Sequence, residues 1–177
     1  MELDEKRLKA LDEMLAREEI RQCLLRYTRG IDRHDTKLLA SAYHADAIDD
    51  HTTYIDLGRN FGPHVNAVHD SMWDAHQHYV TNITIDLDGD TAHVETYWIG
   101  TGRRKQNTAT DIHGGRYVDR FEKRDGQWAI ADRVCVYEWG LRAEDAVEPL
   151  RSFPLGTHDA SDVSFMRPLK IWRKQPK

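Results

Sequence analysis

The 177-residue sequence predicts one α+β domain, with helices packed on one face of a curved, mainly antiparallel sheet. Three observations carry that expectation. Apolar residues recur at helical spacing along the N-terminal segment, the period changes to two from Tyr79 onward, and Asp88-Gly89-Asp90 and Arg124-Asp125-Gly126 punctuate the alternating runs as hairpin turns.

Leu8, Leu11 and Leu15, then Ile20, Leu24, Tyr27 and Ile31, form apolar stripes, and the charged residues between them mostly populate the other faces. Gly30 points to close packing or an approaching helix end. A short second helix follows, capped by Asp35 or Thr36, with Leu38, Leu39 and Tyr43 turned inward. Ala47 to His51 reads as a short strand and Asp56 to Phe61 as a loop. Pro63 suits the first turn of a third helix reaching about Ala75. Strands are expected over Tyr79–Leu87, Ala92–Gly102, His113–Glu122 and Trp128–Trp139. The domain is set at residues 1–142. Residues 143–177, with Pro149, Pro154, Pro168 and Pro176, form a less periodic extension that holds a short strand or helix, covers the pocket, or lies on a neighbouring subunit.

A composition of 40% hydrophobic and 31% charged residues excludes a disordered chain, and a net charge of −5 argues against nucleic acid or an anionic membrane as partner. The sequence contains neither a membrane-spanning apolar run nor a signal-peptide pattern, so a cytoplasmic location is expected. Cys23 and Cys135 lie in apolar segments without CxxC spacing and read as core thiols.

Histidine is the anomaly. Five of the ten, His51, His64, His69, His76 and His78, fall between positions 51 and 78. His78 shares a strand face with Val80 and Asn82, and a histidine opposite an aspartate is the arrangement a general base needs. Asp32 ends the main helix five residues after Tyr27. From the residues alone it reads more readily as a solvated helix-end group or a partner of Arg29 or Arg33. A rival reading makes His76 and His78, with Asp49, Asp50 and His51, ligands for zinc or iron, but HExxH and a thiolate set are absent. The reading adopted has no metal and no cofactor. Arg103, Arg104 and Lys105 are taken as a solvated hairpin end. Tyr97, Trp98, Tyr117, Phe121, Trp128, Tyr137 and Trp139 are taken mainly as core, some of them free by alternation to line a cavity for an aromatic substrate.

The run Ile20–His51, the segment His78-Tyr-Val-Thr-Asn82 and the stretch Gly114–Trp128 together resemble the SnoaL-like branch of the nuclear-transport-factor-2 superfamily. The resemblance spans residues 8–142 and implies a cone: a bent sheet around a pocket, closed by N-terminal helices. Within the branch the chain is similar to cofactor-independent lyases, namely dehydrochlorinases, bile-acid and scytalone dehydratases, and formaldehyde-releasing lyases. That similarity implies that Asp32 and His78 act as a pair, with Tyr27 as acid or hydrogen-bond donor and Arg133 as stabiliser of an anion or leaving group. His51, Tyr43 and Asn82 are the expected substrate contacts. It also implies a homo-oligomer, a trimer before a dimer. Elimination of water, halide or formaldehyde from a small hydrophobic substrate is the function expected. The alternatives are an isomerase or cyclase of the same fold, a ligand-binding module, and the small subunit of a ring-hydroxylating dioxygenase.

Overall fold

The computed structural model describes residues 4–107, 109–144, 147 and 153–169. Helix α1 (Glu5–Asp32) begins at Asp4, whose carboxylate accepts from the Arg7 N–H. Its second half meets the predicted spacing, with Ile20, Cys23, Leu24, Tyr27 and Ile31 buried. Leu8, Leu11 and Leu15 do not: with Met14 they stay exposed on the first turns.

Helix α2 (Thr36–Ala40) is capped by Asp35, which accepts from the Leu38 N–H at 2.9 Å. It crosses α1 at Gly30, where an added Cβ would sit 2.6 Å from the Leu39 nitrogen. Gly30→Ala gains about 1 kcal/mol of helix propensity but forces backbone apart, an overpacking that typically costs about 1–3 kcal/mol. The expected result is a lower denaturation midpoint, read by urea titration.

Strand β1 (Tyr43–Asp50) starts earlier than expected, and the segment read as a loop holds β2 (Ile55–Leu57) and a 3-10 turn at Gly58–Asn60. Helix α3 (Phe61–Met72) carries Pro63 in its first turn and stops short of Ala75, because β3 (Trp73–Asp88) begins there. Strands β4 (Thr91–Arg104), β5 (Thr110–Arg124) and β6 (Gln127–Ala143) complete one sheet of order β2-β1-β6-β5-β4-β3. All pairs are antiparallel except β1 with β6, a parallel pairing that alternation did not foretell.

Bulges between Val80 and Ile83, at Gly114 and Gly115, and at Arg120 and Phe121 bend the sheet towards the helices. Its concave face packs Val94, Trp98, Tyr117, Phe121 and Ile130 against Ile20, Leu24, Tyr27, Ile31 and Leu39. The class is α+β, as predicted. Both thiols are free, Cys23 buried in the core and Cys135 half-buried. Among the described residues no helix is long and apolar enough to cross a membrane.

The described part of the extension folds onto the C-terminal end of α1. Asp162 pairs with Arg33 at 3.5 Å, Arg29 donates to Ser164 Oγ at 3.2 Å and lies over the Phe165 ring, and His158 stacks on His34. Its one regular piece is a 3-10 turn at Val163–Phe165. Pro149 and Pro176 lie outside the described residues.

Candidate active site

Asp32 is the last residue of α1, and its carboxylate reaches across to β3. Oδ2 accepts the backbone N–H of His78 at 3.0 Å, and Oδ1 contacts His78 Nδ1 at 2.7 Å. One residue thus supplies both donors, so carboxylate and imidazole are fixed together, with the proton on Nδ1. The free Nε2 faces Gly100, where an added Cβ would stand 3.7 Å away. His78 and Gly100 both line a cavity of about 400 Å³, a size suited to a small molecule.

The rest of the wall is aromatic or apolar over most of its extent: Tyr27, Ile31, Phe61, Val65, Trp98 and Tyr117. The Tyr27 hydroxyl is buried there without a hydrogen-bond partner. Burial holds the phenol well above its ordinary pKa, so it is a donor and not a base. His51 lines the same cavity, stacked on Phe61 at 4.3 Å. Its Nδ1 is hydrogen-bonded to Asp49, a fully buried carboxylate that also accepts from the Tyr43 hydroxyl. The cavity therefore holds two histidines, each oriented by its own aspartate. Asp49 is the partner that the sequence reading had placed only among metal ligands, although Asp49 and His51 are two apart, at the end of β1 and just beyond it.

Three expected site residues are not brought to the wall. Tyr43 is buried behind it, its ring edge-on to Tyr27 at 5.9 Å and its hydroxyl held by Asp49. Asn82 is exposed. The bulge between Val80 and Ile83 reverses the parity of β3, so that Ile83, Ile85 and Leu87 face the core in place of even-numbered positions. Arg133 is fully buried behind Tyr27 and Tyr117, its guanidinium 4.1 Å from each ring centroid. It forks onto Asp119 at 2.6 and 2.7 Å. Burial opposes its charge, but Asp119 outweighs that and holds the proton firmly on. Its charge reaches the cavity only through the two tyrosine rings.

Sequence reasoning missed the polar end of the cavity. Asp111 accepts from Trp73 Nε1 at 3.0 Å, Arg104 at 2.7 Å and Arg142 at 2.7 Å, and all four residues line the cavity. Arg104 is thus part of the wall and not a solvated hairpin end. Burial raises the Asp111 pKa, but the three donors prevail and lower it to about 2. A depressed carboxylate stabilises the fold above its unfolded value and loses that contribution as pH falls through the folded one. Asp111→Asn is therefore expected to flatten the stability loss between about pH 4 and pH 2, read by thermal melts across that range.

Burial also lowers His69 to about 2 and His76 to about 4, with His78 as a second cause in each, so both are neutral near pH 7. The rival metal set does not converge: His78 is tied to Asp32, His51 to Asp49, and Asp50 to the Thr52 N–H at 2.7 Å.

A family model described as SnoaL-like domain matches residues 12–134. The chain belongs to the SnoaL-like family. No curated protein matches it in sequence. Solved structures do match by fold. A hexachlorocyclohexane dehydrochlorinase, LinA type 2, superposes with TM-score 0.73 and 20% identity, over 80% of this chain and 99% of that one. A putative scytalone dehydratase from Novosphingobium aromaticivorans gives TM-score 0.62 and 22% identity, over 78% and 91%. A protein of unknown function from Mycobacterium tuberculosis gives 0.64 and 24%, over 73% and 75%. In the SnoaL-like chain the pocket lies where the family fold makes its cone, between the helices and the concave sheet face. The extension after Ala143 falls outside the matched range.

Proposed function

We propose that this SnoaL-like protein is a cofactor-independent lyase that eliminates water, halide or formaldehyde from a small aromatic substrate. One observation carries the reading: a His78 imidazole, held by Asp32 at its ring and its backbone, presents a free nitrogen to an aromatic-lined cavity. His78 Nε2 takes the proton of an acidic C–H or O–H bond. The released electron pair forms the new π bond as the bond to the leaving group breaks, and that group departs with its own electron pair. Where it leaves as an oxygen or carbon anion, His51 in its imidazolium form, with Nδ1–H held by the Asp49 carboxylate, gives the Nε2 proton to it. Tyr27 donates a hydrogen bond to charge that develops over the ring. The positive charge behind Tyr27 and Tyr117 strengthens that donation. Support also comes from the names of two solved relatives, a dehydrochlorinase and a putative scytalone dehydratase.

The test is a panel of aryl compounds bearing a β-hydroxyl, a halogen or a hydroxymethyl group, with products identified by mass. Loss of water, hydrogen halide or formaldehyde, absent with Asp32→Asn, supports the reading. Turnover with conserved mass would make the protein an isomerase. Tight binding without turnover would make it a ligand-binding module.

A further inference from the structure

Three histidines beside the cavity have no part in that chemistry. His34 lies in the turn after α1, His76 on β3 and His158 on the extension, yet one ring nitrogen from each lies within 4.8 Å of the other two. Their ring centroids are 4.0 Å (His34 to His158), 4.7 Å (His76 to His158) and 5.3 Å (His34 to His76) apart.

Two of the three are arranged as ligands. His76 Nε2 contacts the Ile31 carbonyl at 3.3 Å, which places the ring proton on that nitrogen and the lone pair on Nδ1. Nδ1 is buried and has no partner. His34 Nδ1 faces the Asp70 carboxylate at 3.8 Å, and its Nε2 is likewise buried without a partner. Two buried acceptors are thus left unmatched, a penalty that a bound cation would relieve. A carbonyl or carboxylate behind an imidazole is the support that metal-ligating histidines characteristically have. His34 is also held at a φ of 52°, a left-handed backbone uncommon for a non-glycine residue, and this turn brings its ring in beside His76.

We propose that His34, His76 and His158 form a binding site for a divalent transition-metal ion of the zinc class, with water completing the coordination. Three imidazoles select zinc, nickel or copper over magnesium or calcium, which prefer oxygen. Zinc–nitrogen bonds of about 2.0–2.1 Å set tetrahedral ligand nitrogens about 3.4 Å apart. The cluster reaches that spacing by turning rings. His158 has the room to turn, because it borders a separate cavity of about 280 Å³ together with Gly156 and Gln77. The ion clasps the extension to the end of α1, next to Asp32 and apart from the reacting atoms.

The test uses the full chain, free of any affinity tag and stripped of metal. Zinc is titrated by calorimetry and cobalt by visible absorption. One ion per chain is expected, with cobalt bands of a four-coordinate site. His34→Ala and His158→Ala should each weaken binding at least tenfold, whereas His78→Ala should not change it. Zinc should raise the melting temperature and slow proteolysis within residues 153–169 in the parent, and do neither in His158→Ala. His158 is on the extension, so its removal leaves the domain core untouched. Absence of stoichiometric binding would overturn the site, as would binding indifferent to His34→Ala and His158→Ala. Loss confined to His78→Ala would instead place the ion in the cavity, and would equally overturn it.

Discussion

Asp32→Asn is expected to lower turnover by about 10²–10⁴-fold, the range that a positioned acid–base group contributes, with little change in melting temperature. The carboxylate now accepts two donors from one residue, the backbone N–H and the Nδ1–H of His78. A carboxamide has one acceptor oxygen. If that oxygen takes the backbone N–H, the amide NH₂ faces Nδ1 and drives the ring proton to Nε2, the nitrogen that must be bare. If it takes Nδ1–H, the NH₂ opposes the backbone N–H and the ring shifts. Either outcome removes the base without emptying space in the core, since a carboxamide has the shape and volume of the carboxylate it replaces. Single-turnover rates on a substrate found in the panel decide the matter. A variant within threefold of the parent would show that His78 does not need its aspartate, and the lyase reading would fall with it.

Asp119→Ala should be the most damaging single change to the fold. Arg133 and Asp119 are both inaccessible to solvent, and the guanidinium is sandwiched between the Tyr27 and Tyr117 rings. Removing one partner of a buried pair strands the other, at a cost of about 3–5 kcal/mol. At about 2–4 °C per kcal/mol for a chain of this size, the melting temperature should fall by about 6–20 °C. The double variant Asp119→Leu with Arg133→Met should recover most of that loss, because it leaves no charge unpaired. Its cavity, however, would lack the cation behind Tyr27. Calorimetric melts of the three proteins check the first statement, and turnover of the double variant checks the second.

Local patterns in the sequence foretold what depends on local patterns. Ile20, Leu24, Tyr27 and Ile31 announce the buried half of α1 because a helix repeats every 3.6 residues. The Asp-Gly turns announce the hairpins because a left-handed backbone favours glycine. The same logic misplaced Leu8, Leu11 and Leu15, whose spacing is equally good but which no other described element covers. Asn82 was misplaced because a bulge changes strand parity without leaving a residue signature. The cluster of Trp73, Arg104, Asp111 and Arg142 was invisible for a different reason. Its members come from four strands, and only the pairing registers bring them together. Asp32 and His78 became a pair through family resemblance. Nothing in their own neighbourhoods joins positions 46 apart in sequence.

The parallel pairing of β1 with β6 has a consequence for how the protein is made. Ile48 lies against Asp132 and Asp49 against Arg133, so β1 waits for a strand that is synthesised some 84 residues later. Closing so long a loop is slow, and the hairpins of β3 to β6 have only local contacts to find. The half of the pocket that carries Asp32 and His78 can thus assemble while the half that carries Asp49 and His51 is still unattached. A chain interrupted before β6 has both aspartate–histidine pairs but lacks Cys135, Tyr137 and Arg142 of the cavity wall. Enclosure of the substrate space is therefore expected to wait on the pairing of β1 with β6, the strand pairing with the longest loop to close.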